Sequence, residues 1–335
     1  MARQDRADEG GRPWVIQPEL VTGCSMRFGS GSGGLCHFCG LNAIRSGPGN
    51  YEYMDLPTAI RIAEQMDKFC PKARVEFAMR GEPMLHPDVL DIISIFRANL
   101  PNGSLMLTTN GDTLRGHMQE RVEKLFKVGL NLLLLDTYYP KERRDALREE
   151  AFALKDMFVI DFFKTWAGQG QSPYSNQSKH RRLVVVMDDL AVRDKEHSSR
   201  QVKSHAGSNP TADVSQGLAP GFPLKRNCGR PFRELVIHSN GNVPLCCDDW
   251  KQEYVIGNVN KMTLEELWKH PRMEAARARL FAKDRSFGPC QLCDAPMAPR
   301  TGLLPVYEPP TEEEIKLTET TFKYKLPMWQ GRGKS

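Results

Sequence analysis

Seven cysteines carry most of the chemistry this chain can do, and they fall into two sets. In the first, Cys36-His37-Phe38-Cys39 places two thiolates close enough to grip one metal centre, and Cys24 is the only other cysteine nearby. Three thiolates suit either a zinc site completed by His37 or an iron–sulfur cluster that leaves one iron open. The second set is Cys228, Cys246, Cys290 and Cys293, the last two again spaced C-x-x-C. Four thiolates serve a closed zinc knuckle or a fully ligated cluster equally well. Cys247 adjoins Cys246 and competes for its place, although the four-residue gap after Gly241 favours Cys246. Cys70, at the end of a helical stretch, reads as a small buried apolar residue. His37, His205 and His238 read as ordinary loop or surface histidines.

The compartment decides how the cysteines are used. The N-terminus is polar, with no apolar core of a signal peptide, and no run approaches eighteen apolar residues, so a cytoplasmic protein with no membrane contact is expected. A reducing compartment, together with an odd total of nine cysteines, argues for metal ligation rather than disulfides. With 335 residues and 40% apolar composition, the chain can bury one barrel-sized domain and a smaller one. A net charge of +5, spread along the chain, tolerates an anionic substrate without demanding one.

The elements that position these residues alternate between strand and helix. Trp14 to Val21 reads as a strand that runs into Cys24 and the loop Gly29-Ser30-Gly31-Ser32-Gly33-Gly34. Lacking a G-K-[ST] ending, that loop is not a phosphate cradle. Leu56 to Phe69 has helical spacing, Arg74 to Met79 is a short buried strand ending at Arg80-Gly81-Glu82-Pro83, and Val89 to Ala98 is helical. Ser104 to Thr109 is a strand stopped by Asn110-Gly111, Leu114 to Val128 a helix, and Leu132 to Leu135 a strand ending in Asp136. A helix over Lys141 to Leu154 and strands over Met157 to Phe163 and Leu183 to Met187 complete the series. Such alternation predicts an α/β fold of parallel βαβ units, covered by helices on one face and filled on the other. Chemistry then gathers at the carboxyl ends of the strands, where Cys24, Gly81-Glu82, Asn110 and Asp136 all fall.

Segments rich in Gly, Ser, Asn, Gln and His, around 169–177 and 196–223, read as loops and a linker. The predicted organisation is a polar extension over 1–13, a core over 14–195, a linker over 196–226, a second domain over 227–300 and a tail over 301–335. The second domain should hold a hairpin-like Glu234 to His238, a turn at Ser239 to Asn242, and a helical stretch from Thr263 to Leu280 interrupted at Pro271. Thr263 and Glu266 have capping-box spacing.

The first cysteine set, Gly81-Glu82-Pro83 after the second strand and Thr109-Asn110-Gly111 after the third together resemble the radical S-adenosylmethionine (SAM) superfamily over most of 14–190. The resemblance implies a partial (β/α)6 barrel in which Cys24, Cys36 and Cys39 hold a 4Fe-4S cluster whose open iron binds SAM. It places Phe38 by the adenine, and Gly81 and Glu82 at the SAM amino group, with Arg80 in place of the family's first glycine. Asn110, Thr109, Asp136 and Asp188 would face the ribose or methionine end. The eleven residues between Cys24 and Cys36 exceed the family's usual spacer, but a longer flexible loop adds only about 1–2 kcal/mol of closure cost.

The second set resembles a shortened SPASM domain. Pro231, Leu235-Val236-Ile237, Gly241, Val243, Ile256-Gly257-Asn258 and Leu264-Glu265-Glu266-Leu267-Trp268 share its pattern, which implies one auxiliary 4Fe-4S cluster on Cys228, Cys246, Cys290 and Cys293, in a small α+β domain. The implied reaction is reductive cleavage of SAM, fed by a flavodoxin- or ferredoxin-type donor, to a 5′-deoxyadenosyl radical that abstracts a substrate hydrogen. The implied substrate is a peptide or protein side chain. The basic balance and the aromatic–basic stretches Phe322 to Lys325 and Arg332 to Lys334 favour instead a nucleoside or DNA base, modified or isomerised. The alternative from another class is a non-catalytic zinc protein that binds nucleic acid through the same tail.

Overall fold

The computed structural model describes residues 11–25, 39–43, 51–136, 141–163, 182–187, 204–209, 212–213, 215–217 and 220–295. β1 (Val15–Pro18) leads into β2 (Val21–Thr22), which pairs antiparallel with β3 (Glu52–Tyr53). Helix α1 (Leu56–Phe69) starts where the Asp55 side chain accepts the Thr58 N–H at 2.8 Å, with Pro57 in its first turn. It buries Thr58, Ala59, Ile62, Ala63, Met66 and Phe69, whereas Ile60, which the helical spacing also counts among the apolar positions, is exposed. Then come β4 (Arg74–Phe77), α2 (Val89–Asn99), β5 (Leu105–Thr109), α3 (Met118–Lys127), β6 (Leu132–Asp136), α4 (Lys141–Phe152), β7 (Val159–Phe163) and β8 (Leu183–Met187).

All these longer strands join one parallel sheet in the order β7-β8-β6-β5-β4-β1, with a seventh strand, β9 (Glu234–Ile237), at its end. Alternate residues face opposite ways. Leu107, Leu133, Leu135, Val184 and Val186 join the large core with the helices, whereas Met106, Leu132, Leu134 and Val185 form a separate cluster on the other face. The sheet is thus buried on both faces, as its continuous apolar strands require.

Two features depart from plain alternation. β8 pairs with both β6 and β7, so chain order and sheet order differ at that edge. The Leu183 to Met187 run is apolar throughout and suits the interior place, while β7 carries Asp161 at its centre and takes the edge. The second departure is β9. Its segment was expected to form a local hairpin, but it runs parallel to β1, from Val15↔Glu234 to Pro18↔Ile237. All four of its residues are buried, and a strand apolar on both faces is more stable inside a sheet than in an isolated ribbon.

Beyond β9, β10 (Asn242–Pro244) pairs antiparallel with β11 (Val255–Asn258), and α5 (Leu264–Trp268) and α6 (Pro271–Phe281) follow. The capping box is present: Thr263 Oγ1 accepts the Glu266 N–H at 3.1 Å, and the Glu266 carboxylate accepts the Thr263 N–H at 2.7 Å. Pro271 occupies the first turn of α6, which is why the predicted helix divides there.

Candidate functional site

Three strand ends meet around Glu82. The turn after β4 passes so close to β2 that a Cβ on Gly81 would lie 2.0 Å from the Val21 carbonyl and 2.5 Å from that of Gly23, so only glycine fits. Gly23 donates to the Arg80 carbonyl at 3.2 Å and Glu82 donates to the Gly23 carbonyl at 2.9 Å, fixing Cys24 beside the turn. Met79, just before it, is held at φ 121°, strain of about 1–3 kcal/mol that the surrounding packing sustains.

The Glu82 carboxylate is buried and tied to the end of β5. Oε1 accepts the Thr109 hydroxyl at 2.7 Å and the Met84 N–H at 2.9 Å, and Oε2 accepts the Asn110 N–H at 2.7 Å. Burial nevertheless raises its pKa to about 7 against those three donors, with the Asp136 charge adding to the rise. Asp136, half-buried at the end of β6, therefore faces the same space. The Asn110 side-chain amide donates to Cys24 Sγ at 3.3 Å, which would stabilise a thiolate there. Of the predicted residues, Cys24, Gly81, Glu82, Thr109, Asn110 and Asp136 converge. Cys39 is half-buried at the head of a short helical turn, Gly40–Ala43. Cys36, His37, Phe38 and Asp188 lie outside the described residues.

The second set also converges. Cys228, Cys246, Cys290 and Cys293 are all buried, and burial pushes their pKa values up, to about 12 at Cys293, with the Asp248 charge adding to the rise at Cys246 and Cys293 and the Cys293 thiol adding to it at Cys290. Cys246 feels Cys293 and Cys228. Cys247 turns elsewhere, accepting from Arg230 near Glu234. This favours Cys246 as the ligand. Cys70, 3% exposed with its thiol pushed up to about 12 by burial, is the apolar residue it was expected to be.

Two histidines differ from expectation. His238, read as a surface residue, is fully buried at the end of β9, where burial lowers its pKa to about 4. His205 stacks on Trp250 with ring centroids 4.2 Å apart and lies 3.4 Å from an Asp248 oxygen.

Further residues went unread in the sequence. Glu19, fully buried, receives the Arg80 guanidinium through two bonds of 2.7 Å, along with the Thr22 hydroxyl at 2.6 Å. Burial alone would raise its pKa, but His238 and Arg80 hold it down at about 2. Arg80 also donates to the Trp250 carbonyl at 2.8 Å, and the Trp250 indole donates to the Cys247 carbonyl at 2.8 Å. The ring of Trp250 lies against Gly40, where an added Cβ would approach it to 2.8 Å. Trp250 thus touches the loop of Cys39 and the loop of Cys246-Cys247 at once. Arg143, on α4, donates to the Asn110 carbonyl at 2.7 Å and lies 3.5 Å from Asp112. No periodicity marks an arginine for burial within Lys141 to Phe152, so only its tertiary placement reveals it.

Two family models match separate parts of the chain. The model of the radical SAM superfamily matches residues 19–153, and that of the SPASM iron–sulfur cluster-binding domain matches residues 228–294. The chain is 21% identical over 238 residues to an S-adenosyl-L-methionine-dependent 2-deoxy-scyllo-inosamine dehydrogenase of Niallia circulans, covering 69% of this chain and 76% of that protein. In structure it is similar to BtrN in complex with AdoMet and 2-DOIA, with a TM-score of 0.57 and 18% identity over 84% of this chain and 93% of the other. It also aligns with native anSMEcpe with bound AdoMet, at a TM-score of 0.48 and 12% identity over 80% of this chain and 84% of that one. A radical SAM domain takes a 4Fe-4S cluster and SAM, and a SPASM domain takes auxiliary iron–sulfur; the two thiol sets fit both. No helix among the described residues is long and apolar enough to cross a membrane. The chain thus joins a radical SAM domain to a SPASM iron–sulfur cluster-binding domain.

Proposed function

We propose that this chain is a radical SAM oxidoreductase that removes a hydrogen atom from a carbon of a small polar substrate, after which the substrate radical releases a proton to solvent and passes its remaining electron towards the auxiliary site. When bound, the N-terminal cluster and SAM supply an electron and a 5′-deoxyadenosyl radical. The chain's residues do the rest. Cys24, Cys36 and Cys39 are the ligands of that cluster, with Asn110 stabilising the Cys24 sulfur. Gly81 and Glu82 receive the SAM amino group, and Phe38, Thr109 and Asp136 line its remaining length. The buried walls exclude the water that would quench a radical.

The observation that carries the reading is Trp250, which packs on Gly40 and bonds to Cys247, so that the auxiliary loop abuts the catalytic one. An acceptor beside the radical site suits oxidation. The likeness to the Niallia circulans dehydrogenase supports a hydroxylated or aminated small molecule. A second reading, isomerisation of a nucleoside or DNA base, is favoured by the net charge of +5 and the aromatic–basic stretch Phe322 to Lys325. The peptide side chain rests on the SPASM domain alone. Anaerobic 5′-deoxyadenosine formation above the uncoupled background, measured with aminocyclitols, nucleosides or DNA, and peptides, separates these. A product lighter by two hydrogens from the first class is expected. A product of unchanged mass from a nucleoside sinks oxidation in favour of the second reading, and turnover of peptides alone sinks both.

A further inference from the structure

Among the described residues, Arg285 stands out as a fully buried charge with no ion-pair partner. It is 2% exposed, and every partner it has among the described residues is a backbone carbonyl. Nε donates to Arg226 at 3.0 Å, Nη2 to Asn227 at 2.8 Å, and Nη1 to Ala295 at 3.1 Å and Cys293 at 3.4 Å. Those carbonyls flank the auxiliary ligands: Asn227 precedes Cys228, and Cys293 is itself one. Its charge is felt by the thiols of Cys228, Cys290 and Cys293.

Other charges that these thiols feel have partners of their own. Arg230 lies 3.0 Å from Asp248 and 3.4 Å from Glu234. Asp249 accepts the N–H groups of Glu253 and Tyr254, each at 2.9 Å, and burial pushes its carboxyl up to about 6. A guanidinium held only by neutral carbonyls is costly to bury unless an anion stands near it. Four thiolates around an iron–sulfur core are that anion, and each added electron makes it more negative.

We propose that Arg285 raises the reduction potential of the auxiliary cluster, its buried charge stabilising the reduced state so that the cluster can accept one electron. The proposal rests on the reading of Cys228, Cys246, Cys290 and Cys293 as cluster ligands. It concerns a single electron, gained by the cluster and balanced by no proton on Arg285. A guanidinium fixed by four carbonyls also cannot swing away, so its effect is permanent rather than gated.

The test is a redox titration followed by electron paramagnetic resonance on full-length holoprotein, wild type against Arg285→Met and Arg285→Lys. The auxiliary cluster is identified as the signal that added SAM leaves unchanged. Arg285→Met should lower its potential by at least a tenfold change in the ratio of oxidised to reduced cluster, about 59 mV for one electron. Arg285→Lys, which keeps the charge but not the four bonds, should stay within about threefold of wild type. An intact cluster whose potential does not move in Arg285→Met overturns the proposal, and so do equal shifts in both variants or loss of the cluster from both, which would make Arg285 a brace of the ligand loops. A wild-type chain with no such signal overturns the cluster assignment itself, and the proposal with it.

Discussion

The site turns on a few side chains whose burial is at odds with their charge, and Glu82 is the clearest. Its pKa of about 7 stands above the ordinary 4.5. Between those values the folded chain holds a proton that the unfolded chain has lost, so this group's contribution to stability falls as pH rises through that window, by about 3 kcal/mol in all. Binding has the opposite sign, because a SAM ammonium needs the carboxylate. SAM affinity measured anaerobically should therefore drop as pH falls from 8 to 6, and Glu82→Gln should flatten that dependence. Glu82→Ala should weaken SAM binding about tenfold or more, the worth of a charge-assisted hydrogen bond, with iron content intact. Unchanged affinity would remove Glu82 from the SAM site. Gly81→Ala makes a sharper demand. With backbone oxygens 2.0 and 2.5 Å from the new Cβ, the β2–β4 contact must open, and both thermal stability and N-terminal cluster incorporation should fall.

At the scale of elements, the loop after β10 chooses between two adjacent cysteines. Cys246 is buried and feels the thiols of Cys293 and Cys228, while Cys247 is engaged by Arg230. Cys246→Ala should remove about four of about eight irons found after anaerobic reconstitution, and Cys247→Ala should remove none. Iron analysis with sulfide quantification decides it, and the reverse pattern would reassign the ligand. The sequence spacing after Gly241 favoured the same residue, but only β10 and its turn set which way each thiol faces. The helices were more legible. α1 matches its predicted limits because Asp55, Pro57 and a regular apolar stripe are local signals, and α5 and α6 divide where Pro271 and the Thr263 box require.

At the scale of the molecule, strand pairing and buried polar contacts among the described residues tie the radical SAM and SPASM parts together. β9 extends the barrel sheet, and Arg80 binds Glu19 on one side and the Trp250 carbonyl on the other. Removing one partner of a buried ion pair costs about 3–5 kcal/mol. Arg80→Met should therefore destabilise the whole chain, by calorimetry, more than any surface arginine change. The triple change of Cys24, Cys36 and Cys39 to Ala should halve the iron and abolish SAM cleavage while leaving the auxiliary cluster in place. 5′-deoxyadenosine from that variant would refute the assignment. The sequence by itself determined the strand-and-helix alternation, the strand ends that converge and the limits of α1, because periodicity and capping are local or nearly so, whereas the helix read from Leu114 begins only at Met118. The tertiary structure alone decided that β8 lies inside β7, that β9 joins the first sheet, and that Glu19, Arg80, Arg143, His238 and Arg285 are buried. Parallel pairing and the burial of charge depend on partners far apart in the chain, such as Arg80 and Trp250, and no periodicity records a contact between residues so distant.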